Sequence, residues 1–453
     1  MDSIVIAEKI LKKAQKEKDI DIEVFLQYRK LISVNIENSS LNLQELKEDT
    51  GFGIRLFDKN KMGFSYSNSF SDDSVERTIK KALGILKVCP EDQGYELPSK
   101  NVYPDVQEKY SSEIANFSPD ELVKDSLETL NRIIDDDIRI NVIAMEHRIE
   151  NLETTIINSN DIVCNDRMTV KEISVYGMAR DGEVVGSLTG EQIKSYKNDI
   201  DIITLEQRLR KNILDGLNAK ALDSKPKEII FDANGFMLPY ISTILNSIYG
   251  INVQNKSSFW KDQVGNVVAN KEFSIINRSV SSDLPTARAF DDEGVATKDL
   301  PIIEHGILKN FYLTTYSAKN LGEESNGMAF RPGEQMARPN YSLVPREFPN
   351  AFCIEPGDIS RDELIRDTKD GILIQRFSGS FKFQTGDYSG VAKQAILIEN
   401  GELTTPLTNV MIAGNVFTDL KNITGISKEL ETLGLIPGKA PSIRISGINI
   451  SSK

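Results

Sequence analysis

The chain has 453 residues, of which 40% are hydrophobic and 27% charged, the balance of a folded protein with two or three domains. Its 54 lysine and arginine residues against 67 acidic residues give a net charge of −13, which argues against general nucleic-acid binding because that binding needs clustered cations. No apolar run approaches the ~20 residues that span a bilayer, and the charged N-terminal segment lacks a signal-peptide core. Three scattered cysteines favour a reducing compartment, so we expect a cytoplasmic protein without membrane contact.

The first region, residues 1–110, is predicted to be an N-terminal α/β domain. An amphipathic helix is followed by alternating segments, the last of which predicts a hairpin over 53–66 because turn residues separate its two halves. A second helix is predicted to begin at Asp73, with Glu76 completing a capping box. The proline-rich stretch 90–119 is interpreted as a boundary linker.

The middle region, residues 111–224, is predicted to be an antiparallel sheet flanked by helices. The run 118–121, Ser-Pro-Asp-Glu, combines a serine cap, proline in the first turn and a capping-box glutamate. Alternating and β-branched residues dominate 138–198, and a helix is predicted over 204–217. His147 lies in one of the alternating segments, which favours a structural or surface histidine over a metal ligand.

The third region, residues 225–453, is predicted to be β-rich, which makes the whole chain α+β. A helix is predicted to begin at Pro239, where proline is tolerated in the first turn. Two similar apolar-Glu-turn-Gly segments predict hairpins that turn at His305-Gly306 and Asn400-Gly401. Histidine tolerates the left-handed backbone of such a turn, so His305 needs no ligand role.

Most recognised catalytic patterns are missing from the chain. With only two histidines, no His-Glu-x-x-His and no Cys-x-x-Cys, the sequence has little material for a zinc site. It also lacks a Gly-x-Ser-x-Gly nucleophile elbow and a phosphate-binding Gly-Lys-Ser/Thr loop. Common hydrolase and nucleotide-binding classes are therefore disfavoured.

Two polar clusters remain as candidate cleft or binding residues. Asp291, Asp292 and Glu293 precede a glycine, a pattern that favours a solvated acidic turn, with an oxygen-ligand Mg²⁺ or Ca²⁺ site as the alternative. The second cluster, 379–390, mixes glycines, hydroxyls and aromatics, which is typical of a ligand-binding loop or of a bulged, twisted strand pair. Its candidate binding residues are Thr385, Gly386, Asp387 and Ser389.

Seven segments of the third region occur in an order and spacing that resemble the TldD/PmbA family, over about residues 228–450. They are 290–295, 301–309, 315–322, 385–389, 398–402, 412–415 and 441–443. The family is described as modulators of DNA gyrase and as peptidase family U62. The resemblance implies an N-terminal α/β domain, a middle segment and a β-rich C-terminal domain.

The family has two branches, which the resemblance implies pair as a heterodimer in peptide maturation and in proteolysis of unfolded polypeptides. The TldD branch binds metal through a His-Glu-x-x-x-His helix and a late cysteine, whereas the PmbA (TldE) branch lacks this site. In this chain Pro239, Tyr240 and Ile244 occupy the three motif positions. No cysteine follows Cys353, so the late ligand is missing too. The resemblance therefore implies a PmbA-like chain with no metal or other cofactor, and zinc only in a TldD-type partner.

The leading hypothesis is a non-catalytic subunit of a TldD-type metallopeptidase complex that binds peptide or unfolded polypeptide. The alternative is a non-catalytic homodimeric module that binds peptide by strand addition. A third option is an independent hydrolase that uses the acidic cluster or Asp387 around a hard cation. Direct DNA binding, as the gyrase name suggests, is disfavoured by the negative charge.

Overall fold

The computed structural model describes residues 2–16, 20–135, 137–224, 226–332 and 341–452. It is an α+β structure whose sheets are mainly antiparallel, as predicted. The predicted boundary residue Lys225 lies outside the described ranges. None of the helices within these ranges is both long enough and apolar enough to cross a bilayer.

The first region contains two helices and a three-stranded meander. Its elements are α1 (Ser3–Gln15), β1 (Asp21–Glu37), β2 (Ser40–Asp58), β3 (Lys61–Ser67) and α2 (Asp72–Val88). The hairpin predicted over 53–66 is confirmed as the β2–β3 pair. The predicted cap of the second helix is wrong, because α2 begins at Asp72 and the Ser71 hydroxyl accepts the Ser74 N–H.

The middle region continues the same sheet. Its elements are α3 (Ser112–Ala115), α4 (Pro119–Ile134), β4 (Ile140–Asn158), β5 (Val163–Asp181), β6 (Val184–Val185), β7 (Thr189–Ser195), α5 (Ile202–Asp215) and a 3₁₀ turn (Gly216–Asn218). The predicted capping box of Ser118 and Glu121 is confirmed. The strand order is β3-β2-β1-β4-β5-β6, with β7 also paired to β5, so hydrogen bonds cross the predicted boundary at residue 110.

Both ends of this seven-stranded sheet bury their apolar face under helices. Ile10 of α1 and Ile79 of α2 pack with Phe52 of β2, whereas Leu209 of α5 packs with Ile173 of β5. His147 lies within β4 and is fully buried, with its Nδ1 3.1 Å from the Ser126 hydroxyl. Burial lowers its pKa to about 3, as expected of a neutral structural histidine.

The third region is a β-rich body built around a central helix. Its elements are β8 (Lys220–Ala221), β9 (Glu228–Phe231), α6 (Ala233–Phe236), a π turn (Met237–Ile241), α7 (Ser242–Ile248), α8 (Gly250–Gln254), β10 (Ile275–Arg278), β11 (Asp299–Glu304), β12 (Ile307–Leu308), α9 (Thr315–Leu321), β13 (Ala329–Phe330), β14 (Arg346–Glu347), β15 (Phe352–Ile354), α10 (Arg361–Arg366), β16 (Asp370–Phe381), β17 (Asp387–Glu399), β18 (Glu402–Thr408), β19 (Val410–Asn415), α11 (Val416–Asp419), a 3₁₀ turn (Leu420–Asn422), β20 (Ile423–Ile426), β21 (Glu431–Thr432), β22 (Gly438–Ala440), β23 (Ile443–Ser446) and β24 (Asn449–Ser452).

Two larger sheets and one small one organise these strands. The first has the order β20-β23-β9-β16-β17-β18-β8, with β19 paired to β17 and β24 paired to β19, and the second has the order β12-β11-β10-β15-β22-β21. The small sheet is β13-β14. Both predicted two-residue turns are confirmed, with positive φ angles of 49° at His305 and 53° at Asn400.

The acidic segment is buried, so the prediction of a solvated turn is wrong. Asp291, Asp292 and Glu293 are 0%, 0% and 2% exposed. The Asp291 carboxylate accepts the backbone N–H groups of Glu293, Val295 and Ala329 at 2.9–3.0 Å. Burial and the neighbouring Glu293 charge raise the pKa of Asp291 well above its ordinary value. Asp291 therefore organises its own loop.

Buried arginines pair with the other two carboxylates. Asp292 forms an ion pair with Arg288, and it accepts the backbone N–H of Arg331 at 2.6 Å. Glu293 accepts the Arg55 guanidinium at 2.9 Å. Local sequence patterns could not predict this pairing, because Arg55 lies 238 residues before Glu293.

The same arginines reach Glu23 of β1. Arg55 on β2 binds both carboxylate oxygens of Glu23, and Arg331 donates to Glu23 at 2.7 Å. Although burial opposes ionisation, these two arginines hold the pKa of Glu23 below its ordinary value. The ion network thus joins the seven-stranded sheet to the third region.

We predict that Glu293→Ala lowers the free energy of unfolding by ~3–5 kcal/mol, because it removes one of the two carboxylates that neutralise buried Arg55. Urea denaturation followed by circular dichroism measures the loss. The matched control is Glu8→Ala, which breaks an exposed helical pair with Lys12 and is expected to cost about 0.5 kcal/mol or less. Equal midpoint shifts for the two variants would contradict the role assigned to the network.

Candidate functional site

The segment after β9 forms one interrupted helix from Ala233 to Ile248. The expectation that this helix begins at Pro239 is wrong, because α6 starts six residues earlier and Pro239 lies inside the π turn. Proline cannot donate the hydrogen bond of a regular helix, and the wider π turn accommodates that missing donor. Single π turns inside helices frequently occur at functional sites.

The three positions aligned with the family metal motif face the protein core. Pro239, Tyr240 and Ile244 are all buried, and the last two are 0% exposed. The Tyr240 ring stacks on Phe236 of the preceding turn, with centroids 4.2 Å apart. This surface of the helix therefore packs against protein.

Tyr240 belongs to a buried hydrogen-bonded cluster with Tyr388 of β17 and Asp419 of α11. The two tyrosine hydroxyl oxygens are 2.7 Å apart, and each hydroxyl donates to Asp419 Oδ2 at 2.9 Å. Gly414 leaves room for the cluster, since a Cβ there would lie 2.6 Å from the Tyr388 hydroxyl. Burial raises the pKa of Asp419, and the two hydroxyls partly offset this rise by stabilising the carboxylate.

These residues do not fit a zinc ion. Pro239 and Ile244 offer no donor atom, and Asp419 is the one carboxylate of the Tyr240–Tyr388–Asp419 cluster. Structural and catalytic zinc sites need three or four nitrogen, sulfur or carboxylate ligands. Elsewhere in the described ranges, no group of three or more histidine, cysteine, aspartate or glutamate residues is arranged to hold a metal.

The predicted binding residues at 385–389 span the turn before β17 and the first residues of that strand. Gly386 has a positive φ of 80°, and the exposed Asp387 carboxylate accepts the Thr385 hydroxyl at 2.8 Å and the Asn415 amide at 2.9 Å. These two hydrogen bonds lower the pKa of Asp387. Ser389 is exposed on β17. The segment joins β16 and β17 through a turn that these side chains stabilise. A role of Thr385, Gly386, Asp387 and Ser389 in binding stays a prediction.

Sequence reasoning missed Tyr388 and Asp419. Side chains alternate along a strand, so Asp387 and Ser389 point outward while Tyr388 between them points into the core. That alternation was readable from the sequence once β17 was recognised. The two candidate clusters of the sequence lie in different parts of the structure. The acidic segment 291–293 belongs to the ion network, whereas 385–389 contacts the helix through Tyr388.

A cleft of about 350 Å³ lies beside the N-terminal half of this helix, between the middle region and the third region. Its walls come from β5, β7 and α5 on one side, and from the helix, β16, β17 and the segment around Gly434 on the other. The lining residues are Tyr176, Gly190, Glu191, Gln192, Arg208, Lys211, Asn212, Asp232, Asn234, Met237, Leu238, Arg361, Leu373, Gln375, Arg376, Phe377, Gln394, Ile396, Leu403, Glu431, Gly434 and Leu435.

Most charges of the cleft are paired within its walls. Arg361 binds both oxygens of Asp232, at 2.8 and 2.9 Å. Arg208 pairs with Glu191 and, at 3.1 Å, with Glu431. Burial raises the pKa of Glu191 and of Glu431, and nearby Asp232 adds to both rises. These ion pairs fix the cleft walls across the two regions.

Two polar groups of the cleft lack such partners. Arg376 lies over the Tyr176 ring, 5.0 Å from its centroid, and has no acidic partner among the residues that the structure describes. Gln394 has a positive φ of 50°, and its buried Oε1 accepts no hydrogen bond from the described part of the chain. A strained residue with an unused acceptor in a cleft is a typical sign of a ligand contact.

We predict that Tyr240→Phe lowers the free energy of unfolding by ~1.5–3 kcal/mol at pH 7, because Asp419 loses one of its two hydroxyl donors. The donor stabilises the carboxylate form, so its loss moves the raised pKa of Asp419 higher still. A raised carboxyl pKa means that its stabilising contribution is lost as pH rises through the folded-state value. The variant is therefore expected to lose progressively less stability as the pH falls and Asp419 takes up a proton.

Urea denaturation at pH 7 and pH 4 measures this difference. The matched control is Tyr312→Phe, which removes a buried hydroxyl that donates to the neutral Asn277 amide at 3.2 Å. The free energy of unfolding that Tyr312→Phe loses should be the same at both pH values. If the loss for Tyr240→Phe is also independent of pH, the charge-based account is refuted.

Comparisons with known proteins agree with this architecture. A family model for the PmbA/TldA metallopeptidase C-terminal domain matches residues 225–452, and one for PmbA/TldA metallopeptidase domain 1 matches residues 22–86. The chain is 25% identical to the metalloprotease PmbA homolog of Haemophilus influenzae over 88% of this chain and 86% of that protein. It is 24% identical to the zinc metalloprotease TldD homolog of Saccharolobus solfataricus over 84% and 83% of the two chains.

A solved structure shows the same fold. TldE from Thermococcus kodakarensis superposes with a TM-score of 0.91 at 21% identity, covering 99% of this chain and 100% of that chain. Because the family models span most of the sequence, this chain belongs to the PmbA/TldD metallopeptidase family.

Proposed function

We propose that this chain is a PmbA/TldE-type subunit of a TldD-type metallopeptidase complex that takes part in peptide maturation and in proteolysis of unfolded polypeptides. The observation that carries the proposal is the substituted helix. Its motif positions hold Pro239, Tyr240 and Ile244 in the core, and the Tyr240 hydroxyl is committed to Tyr388 and Asp419. In this proposal the chain binds the substrate and a TldD-type partner supplies the zinc.

The cleft beside the helix suits an extended polypeptide. Among the residues that the structure describes, strand β7 pairs with β5 alone, and its residues Gly190, Glu191 and Gln192 line the cleft. An extended peptide can add to such an edge through main-chain hydrogen bonds, which give affinity without strict sequence preference. Arg376 would bind a carboxylate of the peptide, and Gln394 Oε1 would accept one of its N–H groups.

A non-catalytic homodimeric peptide-binding module is the second candidate. It is supported by the edge of β7 along the cleft, to which an extended peptide can add by strand pairing. An independent hydrolase built on a hard cation has less support. The acidic segment is already neutralised by arginines and backbone N–H groups, and Asp387 is bound by Thr385 and Asn415.

We predict that the chain purified alone contains no stoichiometric zinc and cleaves no unfolded polypeptide, whereas co-expression with a TldD-type subunit yields an active zinc-containing complex. Elemental analysis and cleavage of a fluorescent unfolded protein substrate measure the two properties. The physical reason is that the motif positions hold no histidine or carboxylate ligand and that the Tyr240 hydroxyl is already bonded to Asp419. Stoichiometric zinc together with cleavage in the lone chain would remove the proposal.

We predict that Arg376→Ala weakens binding of an extended peptide with a free C-terminus by roughly tenfold or more, the loss expected for a charge-assisted hydrogen bond. Fluorescence anisotropy with free-acid and C-terminally amidated forms of one peptide separates the terminal carboxylate from side-chain contacts. Lys393→Ala is the matched control, because Lys393 is exposed opposite Arg376 in the strand pair and lies outside the cleft lining. Equal losses for both variants would argue against the cleft as the peptide site.

A further inference from the structure

A small recess adjoins the cleft at Gln394. Its volume is about 30 Å³, against about 350 Å³ for the cleft, and the two spaces share Asn212, Gln375, Gln394 and Ile396 as lining residues. A space of this size holds about two water molecules, so it admits a short side chain but no polypeptide backbone. The recess is therefore a candidate pocket for one side chain of a ligand that lies in the cleft.

Strand β7 passes the recess before it reaches the cleft. Thr189 lines the recess, whereas the residues from Gly190 to Gln192 line the cleft. Arg376 lies beside Gly190, because a Cβ atom on that glycine would be 3.0 Å from Arg376 Nη1. At the other end, a Cβ atom on Gly434 would be 2.9 Å from Gln192 Oε1. Arg376 thus lies between the recess and the Gln192 end of the cleft.

This order sets the direction of a peptide whose C-terminal carboxylate binds Arg376. The backbone of such a peptide has to extend into the larger space, towards Gln192, because the recess is too small for it. The peptide then runs from Gln192 to Gly190, antiparallel to β7. Antiparallel strand pairs are the commoner kind and are slightly more stable per residue. The side chain nearest to the recess is that of the last residue.

The lining of the recess selects the chemistry of that side chain. The buried Gln394 Oε1 atom accepts no hydrogen bond from the described part of the chain, so a donor on the ligand would remove the cost of an unpaired acceptor. Asp215 is the carboxylate of the lining, and its ion pair with Lys211 at 2.7 Å leaves the recess without a net charge. An uncharged donor suits this environment better than a carboxylate, which can only accept.

We propose that the cleft selects polypeptides by their free C-terminal end and that the recess receives the last side chain, which is small, uncharged and carries a hydrogen-bond donor. Asparagine, serine and threonine have such side chains. Arg376 binds the terminal carboxylate, and Gln394 Oε1 accepts the donor of the side chain. The recess adds to the proposed function, on which this inference rests, by naming the class of polypeptide that the cleft binds.

Three peptides that differ only in the last residue test the recess. They end in asparagine, leucine or aspartate, whose side chains have nearly the same shape, and fluorescence anisotropy with the full-length chain measures their dissociation constants. The asparagine peptide is expected to bind about tenfold or more tightly than the other two, because its amide alone donates to Gln394 Oε1. A fourth peptide that ends in tryptophan is expected to bind at least as weakly, since the recess is too small for its ring.

Gln394→Met separates the recess from Arg376. Methionine is unbranched and close to glutamine in length but lacks the amide acceptor, so the variant is expected to bind the asparagine and leucine peptides equally. Its preference for the free-acid over the amidated form should persist, because Arg376 is unchanged. Gln384→Met, at an exposed position outside the cleft and the recess, is the matched control and should keep both preferences.

The outcomes separate this inference from the proposed function. Peptide binding that ignores the last residue would overturn the inference and leave the proposed function standing, since Gln394 Oε1 would then accept a main-chain N–H. An asparagine preference that survives in Gln394→Met would also overturn it. If the wild-type chain binds none of the peptides, both the inference and the assignment of the cleft as the peptide site fail.

Discussion

The buried ion network of Glu23, Arg55, Arg288, Asp292, Glu293 and Arg331 is the constraint on which the arrangement of this molecule depends. Three arginines and three carboxylates are withdrawn from water together, and their partners are drawn from β1, β2 and the third region. Separating the seven-stranded sheet from the β-rich body would leave buried charged groups without their partners, which costs free energy. The network thereby fixes the relative position of the two bodies whose surfaces form the cleft. Arg208 and Glu431 form a second ion pair between the two bodies at the cleft, and their side chains are more exposed than those of the network.

The central helix carries Pro239, Tyr240 and Ile244, which the family resemblance places at the metal motif, as buried packing residues. Pro239 is compatible with the helix because the wider π turn needs no hydrogen-bond donor at that position. The same turn places Tyr240 beside β17 and α11. The two hydroxyls and the Asp419 Oδ2 atom bond to one another, which lowers the cost of burying them. These hydrogen bonds join the helix to two other elements of the body, so the segment has gained a role in stability.

The seven-stranded sheet supplies the molecule with two different free edges. On one side β7 borders the cleft, where, within the described ranges, Arg376 has no acidic partner and Gln394 Oε1 accepts no hydrogen bond. On the opposite side β2 extends beyond β3 and exposes both faces. An uncovered edge strand has unpaired backbone N–H and C=O groups that can pair with another chain. Peptide addition would use the edge at β7.

The sequence by itself determined the features that depend on neighbouring residues. The α+β class, the capping box of α4, the β2–β3 hairpin, the turns at His305 and Asn400 and the family all follow from local patterns. It did not determine the burial of Asp291–Glu293, the pairing of Tyr240 with Asp419, or the helical turn before Pro239. Three adjacent carboxylates are expected to be solvated unless cations cover them, and Arg55 lies 238 residues away from Glu293. Only the tertiary structure decided these points, because the free energy of a buried charge or hydroxyl depends on partners that folding brings from distant parts of the chain.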